Sequence, residues 1–197
     1  MVKITQRQAY KVVNYVLKNP EFSQRNIVGK TRVSKGMASY VVKWLVEKRF
    51  VEKAENYSLV SPTALISLFG IYRNMEKNLL ASFSLKPSSK ELWKELIQRK
   101  VVFCTTSALQ QYSSYYQDPS INFYSNDKKL LQELGTEPTG LTKVNVYKPD
   151  LCLEIDVEKK GKMLLTNKVR TVIDLFCNNQ AYAAKELIEK TFGGRFG

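Results

Sequence analysis

Histidine is absent from this chain of 197 residues, and cysteine is scarce. Without histidine, the chain lacks the Ser-His and Cys-His nucleophile pairs of many hydrolases and the commonest general base. The three cysteines, Cys104, Cys152 and Cys177, are odd in number and widely spaced, which is not typical of a zinc module or a disulfide framework. We therefore expect no catalytic site of these classes, no metal and no cofactor, and we expect the cysteines to be small buried hydrophobic residues.

Long hydrophobic runs are also missing. No stretch approaches the roughly 18 apolar residues that a helix needs to span a bilayer, and the N-terminal segment lacks the basic and then apolar pattern of a secretory signal. We therefore expect a cytoplasmic protein with no membrane partner. The hydrophobic fraction of 44% and the charged fraction of 25% are typical of a globular chain, and the length suits two small domains.

Acidic residues are in the minority, since 31 lysines and arginines face 18 aspartates and glutamates for a net charge of +13. Residues 1–60 hold 12 basic and 4 acidic residues, a net charge of +8, whereas the longer remainder holds 19 and 14, a net charge of +5. The first part is therefore predicted to bind a polyanion. A basic surface alone would also suit RNA or an anionic membrane, so the motifs have to decide between these partners.

The first sixty residues carry the pattern of three helices and a hairpin. Thr5 and Gln8 have the spacing of a capping box at the start of the first helix. Ser23 and Ser34 stand where they can cap the second and third helices, and residues 53–60 are expected to form a short hairpin. Apolar residues recur at helical spacing and define the inward faces of the three helices: Ala9, Val12, Val13, Val16, Leu17, Ile27, Val28, Ala38, Val41, Val42 and Leu45.

The outward face of the third helix is small, polar or basic near its N-terminus, as a helix that enters a DNA major groove requires. Gly36 allows a close backbone approach, whereas Lys35 and Lys43 can meet phosphate or guanine. The alternative is an ordinary solvated helix face. With flanking residues expected to contact phosphate, the predicted DNA-binding set is Lys30, Thr31, Arg32, Ser34, Lys35, Gly36, Ser39, Tyr40, Lys43, Lys53 and Asn56.

The string VSKGMASYVVKWLVEK at residues 33–48 resembles the recognition-helix signature of winged helix-turn-helix regulators, and the resemblance covers residues 1–63. Arg49 departs from it, because the pattern usually has glycine there for a left-handed turn. Met37, Tyr40 and Trp44 also form a second apolar stripe. That stripe indicates either packing against the wing or a neighbouring domain, or a self-association surface, for which Met37 and Trp44 are interface candidates.

The remainder predicts a connecting helix and a mixed domain. Apolar spacing extends a helix from Pro62 to about residue 80, and the serine- and proline-containing stretch at 81–90 suggests a boundary. We therefore expect a DNA-binding domain at 1–63, a connection at 64–90 and an α/β domain at 91–197, hence an α+β protein. The expected helices are 91–99, 107–116 and 127–134, with two more at the C-terminus; the expected strands are 101–104, 121–124, 143–147, 151–157 and 163–166.

The string NKVRTVIDLF at residues 167–176, followed by a helix at 181–192, looks like the C-terminal part of AbiEi-type proteins, the antitoxins and repressors of abortive-infection toxin–antitoxin systems. The resemblance implies a C-terminal domain of degenerate nucleotidyltransferase-like fold, promoter binding with autorepression, and a nucleotidyltransferase toxin as a partner. Self-association on inverted repeats of double-stranded DNA is also expected. Arg170 and Asp174 are interpreted as an i, i+4 pair on one helix face, or as residues that organise the domain or face the toxin.

Transferase chemistry is not expected, because Thr105, Thr106 and Ser107 stand where a nucleotidyltransferase needs a Gly-Ser turn, and the next strand opens with one acid, Asp118. A metal nuclease is an alternative, since Asp150 and the residues 158–160 loosely fit a proline-aspartate and acid-x-lysine pattern. Residues 151–157 alternate, however, like a half-buried strand whose outer face is acidic.

The overall hypothesis is a non-enzymatic, sequence-specific DNA-binding regulator, a repressor or autoregulating antitoxin. The alternatives are a nuclease or an antitoxin that acts mainly through protein contacts.

Overall fold

A computed structural model describes residues 2–113 and 116–193 of the chain. The chain divides into two compact units, one of Met1–Arg73 with Ile188–Gly197 and one of Asn74–Leu187. Both units contain helices and strands, which confirms the predicted mixed α and β class. None of the helices in the described ranges has the length and apolar character needed to cross a bilayer.

The first unit consists of helices around a small antiparallel sheet. Its described helices are α1 Arg7–Lys18, α2 Gln24–Thr31, α3 Lys35–Glu47 and α4 Pro62–Tyr72. Its strands are β1 Glu21–Phe22, β2 Val51–Lys53 and β3 Tyr57–Leu59, in the spatial order β1-β3-β2. The predicted apolar stripes face inward: Val12 and Val13 of α1 and Val41 and Leu45 of α3 are all completely buried.

Two of the three predicted helix caps are present. The Ser23 hydroxyl accepts a hydrogen bond from the Asn26 N–H at 3.2 Å, and the Ser34 hydroxyl accepts one from the Met37 N–H at 3.2 Å. The capping box predicted at Thr5 is wrong, because α1 begins two residues later and has no side-chain cap. Val2 and Ile4, which precede α1, are instead buried, so packing of this segment decides where α1 starts.

The predicted connecting helix is too long. It begins at Pro62 as expected but ends at Tyr72, and the Asn74 side chain then accepts a hydrogen bond from the Glu76 N–H at 2.7 Å and forms a turn. The stretch taken as a boundary contains a strand, β4 Leu79–Leu85. The reason is a period-two pattern that the prediction missed, in which half-buried or buried Phe83 and Leu85 alternate with exposed serines.

Six described strands form the mixed sheet of the second unit, in the order β4-β7-β6-β5-β9-β8. The strands that follow β4 are β5 Val102–Phe103, β6 Ile121–Tyr124, β7 Thr142–Tyr147, β8 Val157–Lys160 and β9 Met163–Thr166. The pairs β6–β7 and β5–β9 are parallel, and the other three pairs are antiparallel. Strands were predicted at the places of β5, β6, β7 and β9. No strand was predicted at β4, and only the first residue of β8, Val157, lay within a predicted strand.

Helices cover both faces of this sheet. They are α5 Ser89–Gln98, α6 Thr105–Leu109, α7 Lys128–Thr136 and α8 Lys168–Cys177, and α9 Lys185–Phe192 follows them. Phe123 of β6 lies in a hydrophobic cluster with Leu96 of α5 and Leu130 of α7. The next residue, Tyr124, points to the opposite face and bonds to Asp174 of α8. Helix α8 is thus positioned against the polar side of β6.

Two further predictions in this unit are corrected. Helix α6 ends at Leu109 rather than continuing to 116, and residues 114 and 115 of that prediction lie outside the described residues. The strand predicted at 151–157 is a single 3-10 turn, Leu153–Ile155. It follows Leu151 and Cys152, which both have positive φ values, 47° and 55°, so the chain cannot be extended there. Residues 151–156 therefore do not form a strand, although their acidic and apolar side chains alternate in sequence.

Candidate functional site

The exposed face of α3 is the first candidate site. Ser34, Lys35, Gly36, Ser39, Tyr40 and Lys43 are all exposed, as the sequence predicted, and we refer to them as the α3 surface. Tyr40 is the largest apolar group among them, with 52% of its surface accessible. At the start of the helix, the α3 surface consists of the small residues Ser34 and Gly36 and the cation Lys35. Larger side chains, those of Tyr40 and Lys43, follow along the helix.

Two residues in the first turn of α3 disfavour the helix, although Ser34 caps it. Lys35 is the first residue of the helix, where the positive end of the helix dipole disfavours a cation, and no acidic residue lies in that turn. Gly36 follows it, although glycine in a helix costs about 1 kcal/mol relative to alanine. A Cβ atom on Gly36 would meet no atom within 4 Å. Packing inside the described protein therefore does not require glycine at this position.

The cations of and around the α3 surface are largely uncompensated. Within the described residues Lys35, Lys30 and Arg32 are exposed and have no ion pair, whereas Lys43 lies 3.9 Å from Glu47. Both side chains of that pair are exposed, so the pair contributes less than about 1 kcal/mol and can separate easily. Thr31, the member of the predicted DNA-binding set that lies between Lys30 and Arg32, is half-buried. It donates its hydroxyl hydrogen to the Ile27 carbonyl at 2.7 Å.

The β2–β3 hairpin stands next to α3 in the chain and carries the last predicted residues. Lys53 and Asn56 are exposed, and the tip is closed by a hydrogen bond from the Ala54 N–H to the Asn56 carbonyl at 2.9 Å. Tyr57 is the first residue of β3 after this tip, and its ring stacks on Phe22 of β1 with centroids 5.5 Å apart. The hairpin is therefore anchored to β1 while its tip faces solvent.

Arg49, between α3 and β2, has a φ of 60°. The sequence predicted a left-handed residue at this place, with arginine where glycine is usual, and the structure confirms it. The hydrogen bond from the Phe50 N–H to the Leu45 carbonyl at 3.0 Å closes the turn after α3.

The second apolar stripe of α3 does not form one exposed surface. Trp44 is only 9% exposed, and its ring lies 5.9 Å from that of Phe50 at the entrance to the hairpin. Met37 is half-buried, and of the stripe only Tyr40 is well exposed. Trp44 is therefore a packing residue, and its candidacy as an interface residue is corrected in favour of packing against the hairpin segment.

A cluster of buried charges around Arg170 of α8 is the second candidate site. Arg170, Asp156 and Asp174 are completely buried, and Asp150 is 23% exposed. The Arg170 guanidinium donates through Nε to Asp174 at 2.8 Å, through Nη2 to Asp150 and to the Tyr124 hydroxyl oxygen, and lies 3.8 Å from Asp156. One guanidinium thus connects α8, β6 and the loop between β7 and β8.

The three carboxylates around Arg170 also accept hydrogen bonds from neutral side chains. The Tyr124 hydroxyl donates to Asp174 at 2.9 Å, and the Asn167 amide donates to Asp156 at 3.1 Å. The Asn78 amide donates to Asp150 at 2.7 Å. The cluster is therefore a hydrogen-bonded network that joins separate elements of the second unit.

The cluster corrects two predictions. Arg170 and Asp174 are bonded at i, i+4 as expected, but they are buried rather than exposed, which favours the domain-organising interpretation. Asp156, expected on an acidic outer face, is completely buried. The sequence signal that could have revealed this is the strongly apolar surroundings of Arg170 and Asp174 in residues 169–175, because paired charges inside an apolar helix indicate a buried pair.

The residues that suggested a metal nuclease are engaged in other contacts. Asp150 is bonded to Arg170, Glu158 accepts a hydrogen bond from the Tyr112 hydroxyl at 3.3 Å, and Lys160 donates to the Gln111 carbonyl. Within the described ranges, histidine, cysteine and acidic side chains form no group of three suited to a metal ion.

The segment that stands where a nucleotidyltransferase needs its Gly-Ser turn makes internal bonds, since Thr106 and Ser107 are buried and both accept hydrogen bonds from Asn122, at 2.9 and 2.8 Å.

Comparison of the chain with protein-family models, with curated proteins and with solved structures found no match. The interpretation of both candidate sites therefore depends on their own chemistry.

Proposed function

We propose that this protein is a sequence-specific regulator that binds double-stranded DNA, with its first unit acting as a winged helix-turn-helix. The chain order supports this proposal. Helix, short strand, two helices and a hairpin follow one another, and the short strand joins the hairpin in one sheet. In such a module α2 and α3 form the helix-turn-helix, α3 enters the major groove, and the β2–β3 hairpin is the wing.

The observation that carries the proposal is the composition of the first turn of α3. Lys35 and Gly36 both cost helix stability, and neither serves internal packing. Both residues suit a polyanionic partner at the N-terminus of an exposed helix. Glycine lets the backbone approach the partner closely, and the lysine can pair with a phosphate.

The proposed DNA contacts are of two kinds: contacts to phosphates, which position the protein, and contacts to base edges, which recognise the sequence. Exposed cations on either side of α3, namely Lys30, Arg32 and Lys53, are placed to meet the phosphates that flank a groove. The side chains of Ser39, Tyr40 and Lys43 lie further along the α3 surface and are the candidates for base edges. The lysine can donate to guanine, and the hydroxyl groups can donate or accept.

The resemblance of residues 167–176 to AbiEi-type proteins supports a more specific proposal. We propose that the protein represses its own promoter, that it binds inverted repeats as two copies, and that its partner is a nucleotidyltransferase toxin encoded nearby. Footprinting on the DNA upstream of its own gene tests the first two statements. Protection of two related half-sites supports them, and unprotected DNA contradicts them.

The decisive experiment replaces Lys35 and Lys43 together by alanine and measures binding to duplexes selected from a random pool, by fluorescence anisotropy at moderate salt. We expect affinity to fall by about tenfold or more, since each lysine meets phosphate or a base. Removing Lys35 from the first turn of α3 should not destabilise the fold.

The matched control replaces Lys128 and Lys129 by alanine. Both are exposed at the start of α7 in the second unit, and the change in net charge is identical. Affinity should then fall far less than in the α3 variant. Equal losses in the two variants would show that only overall charge matters and would refute the groove assignment.

A further inference from the structure

A cleft in the second unit combines an apolar floor with a cationic rim. It lies where the C-terminal end of α5 meets the β8–β9 hairpin, and its volume is about 440 Å³. That volume is within the range of small-molecule sites, about 300 to 1,000 Å³. Half-buried Ile97 and Leu164 line the floor, and Lys100, Lys159 and Lys162 line the rim. We refer to it as the lysine cleft.

Local backbone geometry fixes the positions of the rim residues. Lys100 follows α5 in the left-handed region, with a φ of 55°, and its N–H donates to the Ile97 carbonyl at 3.1 Å. Lys162 lies in the tight turn between β8 and β9, next to Gly161, whose φ is 61°. Lys159 lies directly opposite Leu164 in the antiparallel register of β8 and β9. The cations are thus presented by ordered segments.

Side chains alternate between the two sides of β8, so Lys159 lies on the opposite side from its neighbours Glu158 and Lys160. Glu158 and Lys160 contact Tyr112, the first through its carboxylate and the second 5.9 Å above the ring. Successive residues of a strand point to opposite sides, so Lys159 points away from Tyr112. The acid next to it in the chain therefore does not compensate its charge on the cleft side.

Other acids near the end of α5 are also engaged. Glu95 and Glu133 both pair with Arg99, the residue before Lys100. Among the residues that the structure describes, Lys100, Lys159 and Lys162 form no ion pair, and no acid lines the cleft. Three exposed like charges around an apolar floor repel one another, so an anionic occupant is favoured there.

We propose that the lysine cleft binds a small organic anion, a molecule with an apolar ring or chain and a phosphate, sulfonate or carboxylate group. The apolar body would cover Ile97 and Leu164, and the anionic group would meet the ammonium groups of the rim. This site is independent of the α3 surface, and its occupant would be a ligand of the second unit rather than DNA.

The test uses two probes that differ in one group, 8-anilinonaphthalene-1-sulfonate and N-phenyl-1-naphthylamine, which has the same body without the sulfonate. Binding to the full chain is measured by fluorescence and located by amide chemical shifts. We expect the sulfonate probe to bind more tightly, and to perturb amides at 97–100 and 159–164.

A triple variant, Lys100→Gln, Lys159→Gln and Lys162→Gln, should bind the sulfonate probe about tenfold more weakly, since each exposed ionic contact is lost. A control of equal net charge replaces Lys128, Lys129 and Lys143, which are exposed elsewhere in the same unit, by glutamine and should bind it as the original chain does. The uncharged probe should not distinguish the variants.

Several results would overturn the proposal: no binding of the sulfonate probe, equal binding of both probes, equal losses in the two triple variants, or shifts confined to another part of the chain. Because no step involves DNA, failure here leaves the DNA-binding proposal unaffected, and failure of DNA binding leaves the cleft unaffected.

Discussion

The start of α3 and the interior of α8 carry charge in opposite ways. At α3, Lys35 is exposed, stands at the unfavourable end of the helix dipole and has no ion pair among the described residues. At α8, Arg170 is completely buried and contacts Asp150, Asp156 and Asp174. The first arrangement leaves charge available to an outside partner, whereas the second uses charge to join parts of one fold.

The two charges differ in what they cost the fold and in what offsets that cost. A buried guanidinium is tolerated only when hydrogen bonds and counter-charges replace its water, and Arg170 has both. An exposed cation that weakens its own helix has no internal reason to be there. Cost to the fold, rather than charge itself, is therefore the argument for proposing the α3 surface as a binding site.

The largest expected effect comes from breaking the buried cluster. Arg170→Met should lower the free energy of unfolding by about 3 to 5 kcal/mol, because Asp156 and Asp174 stay buried without this guanidinium. Urea denaturation followed by circular dichroism measures it. If no folded protein is obtained, the conservative Arg170→Lys variant should fold with an intermediate loss.

The control for this prediction is Arg99→Met. Arg99 also contacts two carboxylates, those of Glu95 and Glu133, but its side chain is 39% exposed. We expect a loss below about 1 kcal/mol, since exposed ion pairs contribute little. Similar losses at Arg99 and Arg170 would show that burial does not separate the two kinds of charge.

A smaller effect, and one of opposite sign, is expected at the start of α3. Gly36→Ala should raise the free energy of unfolding by up to about 1 kcal/mol, because alanine favours the helix and its Cβ meets open space. If α3 enters the groove, the same methyl group should weaken DNA binding several-fold. Thermal unfolding and anisotropy, measured on one preparation, give both quantities.

Gly29→Ala is the matched variant for Gly36→Ala. Gly29 is exposed in α2, and a Cβ there also meets no atom within 4 Å. It should stabilise the protein comparably and leave DNA affinity nearly unchanged, because it lies outside the α3 surface. Unchanged DNA binding by the Gly36→Ala variant would contradict the proposed close approach.

The smallest effect concerns a helix start composed for stability. The Ser88 hydroxyl donates to the Glu91 carboxylate at 2.7 Å, and the Ser88 N–H donates to it at 2.9 Å. These hydrogen bonds, the hydroxyl bond most and the N–H bond second, lower the pKa of Glu91 below its usual value of 4.5. The stabilisation is therefore present above pH 4.5 and is lost as the pH falls through the lowered pKa. Glu91→Gln should flatten this part of the profile of unfolding temperature against pH.

Ser88→Ala provides the second arm of that experiment. It removes the hydroxyl group whose hydrogen bond makes the largest contribution to the lowered pKa of Glu91. The acid side of the profile should become shallower here as well. An unchanged slope in both variants would show that the capping box at α5 does not couple stability to pH.

Local patterns predicted much of the first unit. The apolar spacing of α1 and α3, the caps at Ser23 and Ser34 and the left-handed Arg49 are confirmed. These features depend on neighbours within a few residues, so the sequence contains their cause. The exposure of the α3 surface was predicted for the same reason, since a helix with one apolar stripe turns its other side to solvent.

The errors arise where distant residues decide. Apolar spacing extended α4 too far, and alternation suggested a strand around Asp156. In the folded protein the first segment becomes an edge strand because β7 pairs with it, and the second is bent so that Asp150 and Asp156 both reach Arg170. The contacts that decide both cases join residues far apart in sequence.

Nearby residues in the sequence were thus enough to place most of the helices, though not the ends of α4 and α6, and to locate the outward basic set on α3 and the excess of charge in the first sixty residues. The tertiary structure was needed to show that Trp44 packs inside, that Arg170 is buried among carboxylates and that Lys100, Lys159 and Lys162 line one apolar cleft. The physical reason is range: helix formation and exposure follow from nearby residues, whereas a buried charge or a cleft exists only when separate segments are brought together.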